Sequence, residues 1–160
     1  MITFRQISDD LLSTVNHAQS LLEAIPESKA SVKPQPDKWS HKEIIGHLID
    51  SASNNHQRFV RAALQPELTF PGYDQEALVA LVQPNDASWE LLVRFWESYN
   101  RYLAHVIAHL PESAAEVSCM IGKNPPATLR FIAEDYVAHL KHHLNQIVGQ
   151  RFKTAYGAKG

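Results

Sequence analysis

In Leu129-Arg-Phe-Ile132-Ala-Glu-Asp-Tyr136-Val-Ala-His139-Leu140-Lys-His142-His143-Leu-Asn-Gln146-Ile147, apolar residues return every three or four positions. That is the period of an α-helix buried along one stripe. Ile132, Tyr136, His139 or Leu140, His143 and Ile147 form the stripe, so two histidines fall where a bundle helix carries its core. Spaced four apart, they project one above the other. Such a pair can bring two imidazole nitrogens to ~2.0–2.1 Å from one ion. A hydrogen-bonded interior histidine is the alternative at either position, but two in one layer would need two separate partners.

Proline and glycine divide the rest of the chain into three further helices. The first runs from about Ile7 to Ile25 along Leu11, Val15, Ala18 and Leu22, and Pro26, Pro34 and Pro36 close it off. The second opens at Ser40-His41-Lys42-Glu43, the S-x-x-E pattern of a capping box, and continues to about Leu64. The third starts near Asp86 or Ser88 and carries Leu92, Phe95, Trp96, Tyr99, Leu103 and Ile107. The fourth extends from Thr128 to a glycine stop at Gly149. The segment Tyr73 to Gln83 reads as a short extra helix, and Glu112 to Ala127 as a loop with a hairpin around Gly122-Lys123-Asn124. The expectation is an all-α fold, an up-down four-helix bundle with a short extra helix between the second and third helices. One domain spans residues 1–160, a length that fits a single core.

The second helix breaks the apolar pattern where a bundle should be apolar. His47, Asp50 or Ser51, Asn54 and Arg58 follow at three- and four-residue steps, flanked by Ile44, Leu48 and Phe59. Gly46 beside His47 removes bulk where a helix or ligand could approach. With His139 and His143, His47 makes three nitrogen ligands with coordination positions left open, the pattern of a reactive metal site rather than a closed structural one. Asp50, three residues after His47, is the general-base candidate. Asn54 and Arg58 are candidates to bind an amide or anionic group of the substrate, and Tyr73 and Asp74 to close over the mouth.

The other histidines carry less. His105 and His109 sit where they favour the negative end of the third helix. His142 points about 100° away from the stripe, towards solvent. His17, His41 and His56 form no constellation. Glu43 is accounted for by the capping box, and Trp39, Trp89 and Trp96 read as core or staple residues. A di-iron bundle would need two Glu-x-x-His motifs, and none is present. P-loop, G-x-S-x-G, C-x-x-C and dinucleotide patterns are also missing.

Composition excludes several partners. Fifteen basic against seventeen acidic residues leave a net charge of −2, with no pull towards nucleic acid or anionic lipid. No apolar run approaches the ~20 residues of a membrane span. A single cysteine, Cys119, and an N-terminus without signal-peptide character point to the cytoplasm.

Pro36-Asp37-Lys38-Trp39-Ser40, Glu43-Ile44-Ile45-Gly46-His47-Leu48-Ile49-Asp50 and Tyr136-Val-Ala-His139-Leu-Lys-His142-His143-Leu-Asn-Gln146-Ile147 resemble the DinB/YfiT-like superfamily over nearly the whole chain. The resemblance implies a four-helix bundle with a three-histidine site matching His47, His139 and His143. The ion it implies is divalent, nickel or zinc first and iron also represented. It implies a small-molecule substrate, with activities that include metal-dependent hydrolysis and thiol-dependent S-transfer or isomerisation using a low-molecular-weight thiol, and pairing into a homodimer. The rival expectations are a non-catalytic module that holds a metal or small ligand, and a metal-free bundle whose polar layer fixes helix register.

Overall fold

The computed structural model describes residues 1–156. Four long helices form it: α1 (Phe4–Glu23), α3 (His41–Ala62), α5 (Trp89–Ala108) and α6 (Leu129–Val148). Shorter helices, α2 (Glu27–Ala30) and α4 (Gln75–Val82), lie in the connections. Each long helix starts on a side chain that accepts an otherwise orphaned backbone N–H: Thr3, Ser40, Ser88 and Thr128. Thr3 with Gln6 and Ser40 with Glu43 complete capping boxes. The first helix therefore begins three residues before the apolar stripe does. Gly149 ends α6 at φ +79°, where a side chain would be strained.

Trp96, Phe4, Phe59, Leu11, Leu48, Leu103 and Leu140 are fully buried at the centre. Around that core α1 packs on α5 and α6, and α3 packs on the same two helices. Side-chain pairings fix the directions. Ser8 donates to the Ala104 carbonyl, Arg101 to Asn16 and Gln19, and Trp89 to the Leu22 carbonyl, so α1 and α5 are antiparallel. Arg130 meets the Ile2 carbonyl and Lys141 meets Asp10, so α1 and α6 are parallel. Lys42 donates to the Ala87 carbonyl and His56 meets Tyr99, so α3 and α5 are parallel. The order along the chain is up, down, down, up. Consecutive α1 and α3 stand diagonally. The expected simple alternation is not what forms, because the α3–α5 connection is long enough to carry the chain back along the bundle.

That long connection also corrects the all-α expectation. Strand β1 (Glu67–Phe70) pairs in parallel with β2 (Ser118–Ile121), and β2 pairs antiparallel with β3 (Ala127–Thr128). The hairpin expected around Gly122 is present as β2–β3, and β1 joins it from the other crossover. The Gly122 N–H donates to the Phe70 carbonyl at 2.9 Å, and a Cβ on Gly122 would stand 3.2 Å from the Gly72 nitrogen. Two backbones meet there closely, and at φ +60° a side chain on Gly122 would be strained as well as crowded. The short extra helix is α4, which starts on Asp74 as its cap. Among the described residues, no helix is long and apolar enough to cross a membrane.

Candidate metal centre

His47 projects from α3 into the layer between α3 and α6, and it is 1% exposed. Beside it, Gly46 admits the turn before α5: a Cβ there would lie 2.4 Å from Pro84 Cγ, so that turn packs flat on the α3 backbone. From α6, His139 and His143 rise into the same layer one turn apart. Ligand atoms of all three rings lie within 4.8 Å of one another. His47 Nε2 faces His139 Nε2 at 3.0 Å. Two nitrogens at 2.0–2.1 Å from one ion, at angles near 90–109°, stand about 2.9–3.4 Å apart. The pair is thus spaced as two ligands of one ion would be. Among the described residues no carboxylate or thiol joins the cluster, so the donor set is neutral and nitrogen-only, suited to a borderline divalent ion.

The surroundings favour neutral rings. Burial, reinforced by charge on His143, pushes the His47 pKa down to about 4. Burial pushes His139 to about 3, with His143, His47 and His142 adding to the effect. His143 is also lowered by burial, against a bond to Gln146 that works the other way. His143 Nδ1 lies 2.8 Å from Gln146 Oε1; as donor it leaves the Nε2 lone pair for an ion. The Nδ1 of His47 is buried without a partner. Trp39 leans over the site, its ring 4.9 Å from His47 and 6.1 Å from His143. It is half-buried and donates to Glu76, so it roofs the site rather than joining the core, where Trp89 and Trp96 sit.

Two cavities reach this layer from different sides. The larger, about 690 Å³, touches His139 and lies between α3, α6 and the small sheet. Ser51, Asn55, Arg58, Tyr73 and Asp135 line it together with Ile121, Pro125, Phe131 and Ile132. The smaller, about 470 Å³, touches His143 under Trp39 and Lys38, and Gln75 borders both.

The other sequence candidates separate at this point. Asp50 Oδ2 is buried and unpartnered, and burial raises its pKa. Arg58 is on the larger cavity. Asn54 is not: its amide donates to the Asp50 carbonyl, and Asn55 lines the wall instead. Tyr73 lines the cavity, whereas Asp74 is used up in capping α4. His109 caps α5, with Nδ1 2.8 Å from the His105 carbonyl. His142 is half-buried against Tyr156 rather than free in solvent. Sequence reading missed Asp135 and Tyr156. Asp135 sits one turn before His139, a spacing that could have found it; Tyr156, 5.1 Å from His139, comes from the tail and left no signal.

A family model described as the DinB superfamily matches residues 11–147. No curated protein matches the chain. Among solved structures, YfiT from Bacillus subtilis aligns with a TM-score of 0.75 and 18% identity, over 90% of this chain and 81% of that one. It is described as a probable metal-dependent hydrolase with an unusual four-helix bundle topology. At that identity the likeness speaks for the fold.

Proposed function

The chain belongs to the DinB superfamily, and on that premise we propose that it is a metal-dependent enzyme acting on a small-molecule electrophile. The observation that carries this reading is the convergence of three buried imidazoles beside a cavity large enough for a metabolite. His47, His139 and His143 are the ligands, and zinc or nickel is the ion a nitrogen-only set favours, with iron as the other choice. When bound, a divalent ion supplies Lewis-acid chemistry, lowering the pKa of a water or thiol beside it. The residues do the rest. Gln146 holds the His143 tautomer. Trp39 keeps bulk water off one side. Asp50, its pKa raised by burial, is the group to hold a proton one turn from His47.

Hydrolysis is the simplest reaction for this arrangement. Transfer to a low-molecular-weight thiol is a second reading, supported by the smaller cavity at His143, which gives a second reactant its own approach. A buried free cysteine fits the cytoplasm as the place of work. We propose a homodimer as the working assembly, to be checked by light scattering.

Elemental analysis of purified wild type beside His47→Ala and His143→Ala tests the centre. Close to one ion per chain in wild type, lost in both variants, is the expected result. No ion after reconstitution would leave the metal-free bundle. An ion without turnover of esters, amides or thiol-reactive electrophiles would favour a binding module.

A further inference from the structure

Arg58 is the one arginine on the larger cavity among the described residues, and its charge is unanswered. It is half-buried, and among the described residues no carboxylate forms an ion pair with it. Among the described residues its one hydrogen bond runs from Nη1 to Asn55 Oδ1 at 3.4 Å, and its buried Nε has no partner there. Taking a guanidinium out of water without an anion is costly, yet this one is held in place. Phe70 and Tyr73 lie 5.6 and 5.9 Å from its central carbon, and their rings fix the side chain. The fork is therefore positioned, unpaired and facing a cavity that also reaches His139.

We infer that Arg58 is the anchor for a substrate monocarboxylate, so that the enzyme's substrates are amphipathic carboxylic acids with their reactive group held at His139. Beyond the buried Nε, the two Nη atoms of the planar guanidinium match a carboxylate by two parallel bonds. Among the described residues, no lysine or second arginine lines the cavity, and Asp135 does, which disfavours a phosphate dianion. Pro125, Pro126, Phe131 and Ile132 give the body of the ligand an apolar wall, and Asn55 and Thr128 offer polar contacts beside it. The inference rests on the reading of the trihistidine layer as a reactive centre and adds the substrate class to it.

The test is calorimetric titration of the full-length, zinc-reconstituted protein with hydrocinnamate, hydrocinnamamide and phenyl phosphate. Hydrocinnamate is expected to bind about ten-fold or more tightly than the amide, and more tightly than phenyl phosphate. Arg58→Gln should erase that preference with metal content unchanged, and Arg58→Lys, which keeps the charge but not the fork, should retain part of it. The Lys variant also covers the case in which Arg58→Gln does not fold. His143→Ala, at a residue off this cavity, should lose the ion and keep the preference. Equal binding of acid and amide, tighter phenyl phosphate, or a preference that survives Arg58→Gln overturns the inference. So does a preference lost with the ion in His143→Ala, since the carboxylate would then be a metal ligand. If wild type holds no ion yet shows the Arg58-dependent preference, the metal reading falls and the carboxylate site stands.

Discussion

Gly46 shows how closely the centre depends on its supports. Any side chain there meets Pro84, whose ring is rigid and packed on the helix. Gly46→Ala is expected to cost about 1–3 kcal/mol through overpacking, read as a lower urea midpoint at unchanged m-value, together with weaker metal retention because His47 is the next residue. Unaltered stability would mean that Pro84 yields. The three histidines were legible in the sequence because each interrupts an apolar stripe at a core position, an oddity that needs a reason. Arg58 was legible on the same grounds. Asp135, four residues before His139, shares its face and could have been found by that spacing, but an acid beside an apolar stripe reads as solvent-facing. Trp39 was misjudged for a related reason: an aromatic residue before a helix looks like a staple, and only the position of α6 turns it into a roof.

The four long helices and α4 were readable nearly in extent, because caps and breakers act locally, whereas the single-turn α2 was not. Ser40 does two jobs at the start of α3: it accepts from the Glu43 N–H and its hydroxyl donates to Asn85 at 2.6 Å. Ser40→Ala should therefore cost more than an average cap, roughly 1–2 kcal/mol, and Ser40→Gly nearly as much, since the Asn85 contact is lost in both. Thermal melting of the two variants checks this; a Gly variant close to wild type would show that only the cap matters. The sheet escaped reading because β1 is four residues between Pro66 and Pro71, too short for alternation to register. Its partner lies some fifty positions along the chain, so no local pattern could announce the pairing.

Across the whole molecule, the buried imidazoles set the response to acid. His47 and His139 have folded-state pKa values of about 4 and about 3, below the ~6.5 of an unfolded histidine. Above pH ~6.5 both states are neutral and the stability is fully present. As pH falls from there towards the folded values, the unfolded chain takes up protons that the native centre refuses, and stability is lost. Each histidine adds a slope of at most about 1.4 kcal/mol per pH unit. Asp50 and Asp135, raised by burial, act in the opposite sense at the lower end of the window. Urea titrations from pH 7 to pH 5 should show declining stability, and His139→Leu should flatten the decline. A wild type indifferent to this range would contradict the buried neutral triad. Helix order belongs to this scale too. The up, down, down, up arrangement depends on which way a crossover folds back, and that is settled by packing between elements far apart in sequence.

The ligands' positions along the chain have a temporal consequence. His47 and His139 are separated by 92 positions, and the third ligand follows four later. A ribosome has passed α4 and α5 while only one of the three imidazoles exists, so the proposed centre is complete only once α6 has been made. On the proposed ligation an ion would link α3 to α6 across more than half of the chain, and its departure would become a clock on unfolding.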